Sequence, residues 1–548
     1  MPFFNLFIKN INDYKAEDKY DIDGLVHLLQ TLAVNPLEKI DSSKYYSFPK
    51  LAGMQDTLVK FVEGLFNLWR NKHRFMIEKN SFTTVSTDRI YKQMKLIKNN
   101  SDLKSLVLSV YRQILVNISN SRVKVLRQLP SGAQAGFIID KPNVSEKAKL
   151  NYPLIYDMDY VWSTVFEPPV IFYTRINKRG GFFKVKDKPY LENIKLKNKE
   201  NWLIFPILAG TKLIYVVVNK DYFALAAGTA NIFEFAGFNV LEHKKPDGIY
   251  FFGVDKENFE SEEDYKGVIY KEEDGTYVSM IMDDPIIDYF GYMKKMILTM
   301  HNLLIIDEKK LPIHGALAEI KLKSGQKANV MLVGDSGAGK SETIDALNRL
   351  EENVSEVNIL IDDMGSLDIT EDGTVISYGT ETGAFVRLDD LQPGYAYSQM
   401  DRSIFMNPNE INARVIVPYS NYPDIIKPTK IDYFFYANNF EKIEGEEDSA
   451  KYYTDPEKAY EIFAAGARMA KGTTTEKGLT YSYFANPFGA VQRKEAHEKI
   501  SKRYLKAMID SGVVVGEIKT QLGVDGFEET GPLIAAQAML NLIEKRDV

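Results

Sequence analysis

The sequence predicts an α/β protein of two lobes, a C-terminal domain with a mixed sheet and a separate α+β N-terminal domain. Three observations carry that prediction. First, an apolar run, Ala328-Asn329-Val330-Met331-Leu332-Val333, leads through a glycine-rich turn into Thr343-Ile344-Asp345-Ala346-Leu347-Asn348-Arg349-Leu350, whose apolar residues recur at helical spacing. Second, from about residue 280 onward strand-like runs alternate with helical ones. Third, a mainly helical stretch up to about residue 125 gives way to short β-rich runs between about 150 and 255. The implied domains are 1–125, 126–280 and 281–548, and a chain of 548 residues is indeed too long for one small core.

Taken in order, Leu58, Phe61, Val62, Leu65, Phe66 and Trp69 fall on one helical face, and Leu103, Leu106, Val107, Val110, Ile114 and Leu115 suggest a second helix. Val170-Ile171-Phe172-Tyr173 and Leu213-Ile214-Tyr215-Val216-Val217-Val218 read as strands, with turns expected at Arg179-Gly180-Gly181 and Ala226-Ala227-Gly228. The polar, acidic stretch from Asp255 to Asp264 reads as a domain boundary or an exposed loop. Ile286, Phe290, Met293, Ile297 and Met300 make an apolar helical stripe ahead of the glycine-rich turn.

Composition narrows the function classes. A net charge of −7 carries no basic signature, so nucleic acid is not the expected partner. The absence of cysteine excludes disulfides, thiolate metal sites and cysteine nucleophiles, and suits a reducing cytoplasm. Met1 to Lys9 lacks the charged lead-in and cleavage site of a secretory signal. Trp202 to Val218 is interrupted by Pro206, Gly210 and Lys212, and Phe223 to Phe238 by Glu234, so neither is expected to cross a membrane. The expectation is a cytoplasmic protein.

The glycine-rich turn itself, Gly334-Asp335-Ser336-Gly337-Ala338-Gly339-Lys340-Ser341-Glu342, matches G-x-x-x-x-G-K-[ST] with a strand before it and a helix after it. In such a loop successive backbone N–H groups and a helix N-terminus face an anion. Lys340 would reach the β/γ-phosphates and the Ser341 hydroxyl would ligate the accompanying metal, which predicts a nucleoside triphosphate as ligand. Downstream, Val357-Asn358-Ile359-Leu360-Ile361 reads as a buried strand ending in Asp362-Asp363, where a hard divalent cation would find oxygen ligands. Upstream stands Lys294-Lys295, ordinarily a solvated helix face. Here its apolar flanks leave little such face, and two adjacent ammoniums in a partly buried site depress each other's pKa until one can act as a neutral ligand. His314 lies in Leu311-Pro312-Ile313-His314-Gly315-Ala316, just before the strand that leads to the loop; a lone histidine is more often structural than a ligand.

The order Lys-Lys, His, phosphate loop, Asp-Asp resembles the phosphoenolpyruvate carboxykinase family, particularly its ATP-dependent branch. The counterparts are Gly291-Tyr292-Met293-Lys294-Lys295-Met296, Ile313-His314-Gly315-Ala316, the loop, and Asp362-Asp363. Asn412-Ala413-Arg414-Val415-Ile416-Val417-Pro418-Tyr419 looks like the family's N-T-R-x-x-Y-P segment. Thr475-Glu476-Lys477-Gly478-Leu479-Thr480, followed by Phe484-Ala485-Asn486-Pro487-Phe488, looks like its T-E-x-G-x-T and F-G-A-P-F segments. The resemblance implies a C-terminal nucleotide-binding domain of carboxykinase type, with ATP, Mn2+ and Mg2+ and a small dicarboxylate as partners. It implies that Lys295, His314 and Asp363 hold a manganese-type ion and that Ser341 holds the nucleotide's magnesium. Lys340 would sit on the transferring phosphoryl group, Lys294 beside substrate and phosphate, Asp362 among the catalytic groups, and Arg414 on the charge that develops in transfer. The implied reaction is decarboxylation and phosphorylation of oxaloacetate to phosphoenolpyruvate.

Departures from the pattern are specific. The loop's Asp335 and Ser341-Glu342 look like the related HPr kinase/phosphorylase branch, which phosphorylates a protein serine; that branch lacks the lysine pair. In Glu381-Thr382-Gly383-Ala384-Phe385-Val386-Arg387, Arg387 stands where the carboxykinases have lysine. The family's G-R-S-P-x-D-K segment, whose arginine grips the dicarboxylate, has no counterpart. Arg175, Lys178 and Arg179 read either as a substitute anion site or, more simply, as a charged hairpin turn.

Overall fold

Alternating and helical periodicities both appear in the computed structural model, which describes residues 22–41, 44, 55–79, 86–119, 128–142, 151–350, 352–388, 391, 399–470 and 478–545. Met1 to Lys9 and Thr475-Glu476-Lys477 lie outside the described residues. The chain is a mixed α/β protein with several mixed sheets, dividing into a unit of residues 1–139 with 163–173 and a unit of 140–162 with 174–548. Among the described residues no helix is long and apolar enough to cross a membrane.

The first unit contains α1 (Ile22–Leu32), α2 (Gln55–Asn71), β1 (Phe75–Lys79), α3 (Ser86–Ser119) and β2 (Ala135–Asp140), with β1 and β2 paired in parallel. On α2 the expected stripe is the buried one: Leu58, Val62 and Phe66 are inside, the first two packed with Leu25, Leu28 and Leu29 of α1 and Ile114 and Ile118 of α3, and Phe66 stacked on Tyr111. The expected second helix is α3, although Leu106 and Val110 are 61% and 43% exposed while Leu108 and Ile118 are buried. Apolar residues occupy several sides of that helix, so spacing alone does not select its inner face.

The second unit holds two large sheets. One comprises β3 (Lys184–Lys186), β4 (Trp202–Ala209), β5 (Lys212–Asn219), β6 (Gly248–Val254), β7 (Val268–Lys271) and β8 (Tyr277–Met282) in the order β4-β5-β6-β8-β7-β3. Gly210 and Thr211 turn β4 into β5, which disposes of the apolar stretch from Trp202 to Val218 as a hairpin. The acidic stretch from Asp255 is a loop joining β6 to β7. Ala226-Ala227-Gly228 is not a turn but part of α4 (Phe223–Ala230), all three residues buried. Gly228 is needed for contact: a Cβ there would lie 2.7 Å from Ile416 and from Phe290.

After α5 (Phe290–Asp307) come β9 (Leu311–Leu322), β10 (Lys327–Val333), α6 (Lys340–Asn348), β11 (Val354–Ile361), β12 (Met364–Ile369), β13 (Val375–Gly379), β14 (Gly383–Arg387), β15 (Ile404–Met406), β16 (Arg414–Pro418), β17 (Thr429–Lys430), β18 (Tyr433–Asn438), β19 (Ala450–Tyr452), α7 (Pro456–Ala465), α8 (Lys494–Asp510), β20 (Val514–Lys519) and α9 (Thr530–Lys545). The second sheet runs β17-β13-β12-β9-β10-β18-β20-β19, with β11 also on β9; β10, β18 and β20 are parallel and β9 is antiparallel to its neighbours. Alternate residues of β10 serve opposite cores. Val330 and Leu332 pack with α6 and α9, Met331 and Val333 with α7 and α8. Strands covered on both faces read as continuous apolar runs, which is what made β10 recognisable.

α5 packs against both sheets, touching β6 and β8 on one side and β9 and β12 on the other. That explains why nearly all its residues are buried, Lys294 included. The expected stripe loses Ile286, which precedes the helix in a short turn capped by Asp284 and is 39% exposed. β11 departs from expectation too. Only its end residues Val354 and Ile361 are buried and those between are exposed or half-buried, because it borders the sheet through β9.

Candidate active site

The geometry of β9 brings the chemistry together. His314 pairs with Met364 of β12, and its carbonyl accepts a hydrogen bond from Gly334 N–H, the first residue of the glycine-rich loop. The next amide, Gly315 N–H, donates to the Asp363 carbonyl at 3.0 Å. One strand thereby fixes the histidine between the loop on one edge and the Asp362-Asp363 pair, in the short break between β11 and β12, on the other.

The loop is held by the protein around it. Gly337 and Gly339 adopt φ of 80° and 90°, and a Cβ on Gly339 would come within 2.6 Å of Thr520 Oγ1. Thr520 donates to the Ala338 carbonyl and Asn439 to the Gly337 carbonyl. Asp335 accepts from Arg468 Nε at 3.0 Å. Lys340, which starts α6, folds back and donates to the Gly334 and Asp335 carbonyls, and burial lowers its pKa. Ser341 Oγ donates to Asp362 Oδ1 at 3.0 Å. Burial pushes the Asp362 carboxyl up to about 6, against the pull of that hydrogen bond.

Asp363 is the hub. Lys294 and Lys295 approach its Oδ2 at 2.8 and 2.5 Å, and His314 Nε2 approaches its Oδ1 at 3.0 Å. Burial alone would raise Asp363, but the two lysines and the histidine outweigh it and hold the carboxyl well below its usual range. The lysines then part company. Burial pulls Lys294 down, yet Asp363 and Glu381, the latter at 2.8 Å, more than compensate and raise it. Lys295 is lowered by burial, with Lys294 adding to the effect against Asp363. The expectation that adjacent buried lysines push one another toward the neutral amine therefore applies to Lys295 and not to Lys294.

His314 Nδ1 lies 2.5 Å from the Ala485 carbonyl, which only accepts, so this nitrogen carries a proton. That carbonyl is aimed by two successive left-handed residues, Phe484 at φ 56° and Ala485 at φ 49°. Nε2 then faces a carboxylate oxygen 3.0 Å away, and these two atoms are the pair that would share a cation. Imidazole, carboxylate and an amine whose pKa burial lowers fit a divalent transition-type ion. Among the described residues no group of three or more His, Cys, Asp or Glu is placed to hold a metal, so such a site depends on the lysine as third donor.

These groups line a cavity of about 1550 Å3 together with Ser336, Gly337, Lys340 and Ser341. Arg414 also lines it, its guanidinium 5.7 Å from the Phe385 ring and opposite Arg387 in the β14–β16 register. Lys178 and Arg179 reach the same cavity, Arg179 lying over the Phe183 and Phe488 rings at 5.0 and 5.3 Å. Arg175 does not; it pairs with Asp288. Of the residues singled out from sequence, Lys294, Lys295, His314, Lys340, Ser341, Asp362, Asp363 and Arg414 stand around one space. Glu381 as partner of Lys294, Arg468 on Asp335, and the Ala485 carbonyl on His314 were not foreseen. Glu381 and Ala485 sit in segments that drew attention for other reasons, whereas nothing local marks Arg468. Compared with known proteins, the chain matches no protein-family model and no curated protein.

Proposed function

We propose that this chain is a metal-dependent, ATP-using enzyme of phosphoenolpyruvate carboxykinase type, with a two-lobed fold built on a carboxykinase-like nucleotide-binding core. One observation carries the reading: Lys295, His314 and Asp363 converge at the edge of the glycine-rich loop that bears Lys340 and Ser341. The reaction is loss of carbon dioxide from oxaloacetate with transfer of the γ-phosphoryl group of ATP to the oxygen left negative, giving phosphoenolpyruvate and ADP. Lys340 and the loop amides would bind the phosphates, and Ser341, hydrogen-bonded to Asp362, would hold the nucleotide's Mg2+. Lys295, His314 and Asp363 would hold Mn2+, which when bound would supply positive charge to stabilise the negative charge that develops. Lys294, kept charged by Asp363 and Glu381, and Arg414 place cations around the transferring group, which is what phosphoryl transfer requires of a protein. Arg179 supplies a cation for a substrate carboxylate, in place of the arginine segment that the chain lacks.

The test is manganese-dependent exchange of labelled carbon dioxide into oxaloacetate by the purified protein with adenine nucleotide. ATP turnover on another acceptor without exchange would replace this reading with that of a kinase on a different hydroxyl, a small molecule or a protein serine as in the HPr kinase branch. The size of the cavity favours keeping that second reading in the assay, since small-molecule pockets usually hold about 300–1,000 Å3.

A further inference from the structure

We infer that Asn177 and Asn412 are positioning residues whose hydrogen bonds, Asn177 to the Ile411 carbonyl and Asn412 to the Asn177 carbonyl, set the Lys178–Arg179 segment against Arg414 and so build one anion-binding wall of the cavity. The inference rests on the proposed function for the identity of the reaction, but not for the presence of a carboxylate on that wall.

The segment from Thr174 to Arg179 has no regular secondary structure, yet side chains tie it to the loop before β16 at two points. Thr174 N–H donates to Asn407 Oδ1 at 2.7 Å, and Asn407 Nδ2 donates back to Thr174 Oγ1 at 2.8 Å. Asn177 Nδ2 donates to the Ile411 carbonyl, and Asn412 Nδ2 to the Asn177 carbonyl, each at 2.6 Å. The residue after Asn177 and the one beyond it are Lys178 and Arg179, and Arg414 stands two residues after Asn412. The clip thus joins two cation-bearing segments at their nearest polar residues.

The arrangement is costly for a loop whose purpose is stability. Asn407 and Asn412 both take left-handed conformations, at φ 50° and 67°, which glycine adopts freely and asparagine at a smaller cost than other residues. Asn412 spends its amide N–H on Asn177, and among the described residues its buried Oδ1 has no donor and the buried Arg414 Nε no acceptor. A glycine at 412 would remove the strain and the orphan oxygen together. What asparagine adds is the bond to Asn177, and through it the placement of Arg179.

The ligand class is a small carboxylate. Arg179 lies over aromatic rings, its pKa lowered by burial, and among the described residues no acid pairs with it, so a carboxylate at this wall would meet an unneutralised guanidinium.

The experiment uses the full chain and two titrations by calorimetry: oxalate without divalent metal, as a dicarboxylate with no phosphoryl group to engage the loop, and ATP with Mg2+. Asn412→Gly keeps the backbone unstrained while deleting the clip, and Asn177→Ala tests its other half without touching a left-handed residue. Both variants are expected to bind oxalate roughly tenfold more weakly, the equivalent of one lost hydrogen bond, with ATP affinity unchanged. In turnover assays KM for the acceptor rises by a similar factor while kcat stays within about twofold, a split that a loosened fold would not produce. Unchanged oxalate affinity in both variants, or no oxalate binding by the wild-type protein, overturns the inference. Failure of the wild type to bind ATP would instead sink the nucleotide reading and leave the oxalate comparison standing.

Discussion

At the scale of single residues, Lys340 and His314 separate two functions of one site. Lys340 is 6% exposed and donates to two loop carbonyls, a position from which, on the proposed function, its ammonium would meet a phosphate. Lys340→Ala is expected to lower phosphoryl transfer by at least about 10^2, as loss of a preorganised charge does, while the fold survives. Circular dichroism beside a turnover assay checks both halves, and full activity in the variant would end the role. His314→Ala removes the imidazole but leaves the loop intact, so the expected loss is in manganese response, at least about tenfold in the concentration for half-activation. An unaltered manganese titration would show that the residue is only a strut between β9 and Ala485. Glu381→Gln isolates Lys294, whose charge it balances. With one of its two acids gone, Lys294 should lose the support that burial otherwise removes.

Elements impose a different kind of constraint. Two glycines of the loop have similar φ but unequal surroundings: nothing lies within 4 Å of a Cβ on Gly337, whereas one on Gly339 meets Thr520. Both substitutions carry the left-handed penalty, but Gly339→Ala also pushes α6 away from the anchoring threonine. It is expected to abolish measurable ATP binding in calorimetry while Gly337→Ala only weakens it by about tenfold. Equal losses would mean that the backbone angle alone matters. On α4, Gly228→Val would overlap Phe290 and Ile416, with an expected cost of about 1–3 kcal/mol in urea unfolding. The contrast with its reading as a turn is instructive. A small residue chosen for closeness and one chosen for φ look alike in sequence, and here Gly228 has no positive φ at all.

For the whole molecule, the buried histidines set the response to acid. His301 and His497 lie in the interior of the second unit, and burial lowers both pKa values to about 4. A histidine titrates near 6.5 when unfolded, so between those values the unfolded chain binds more protons than the folded one. The stability from keeping them neutral is complete above about pH 6.5 and is lost as pH falls toward 4, on the order of 3 kcal/mol for each residue. Asp362 acts in the opposite sense, its raised pKa relieving the cost of a buried charge as pH falls from about 6. Comparing the slope of unfolding free energy against pH for the wild type and for His497→Gln separates these effects. The variant should have the shallower slope between pH 6.5 and 4.5, and identical slopes would refute the assignment.

Local sequence determined the loop, its strand and its helix, because the glycines, the lysine and the apolar run that specify them are contiguous and act within a few residues. The same locality made the lysine pair conspicuous, since α5 is apolar all round and offers a charge no outer face. Only the tertiary structure decided that residues 294, 295, 314, 363 and 381 meet. Their meeting depends on the register of β9 against β10 on one edge and β12 on the other, and a shift of one residue would turn His314 to the opposite face. It also decided that Arg179 belongs to the site and Arg175 does not. Asparagines more than 200 positions away hold that segment, and no pattern near residue 179 records them.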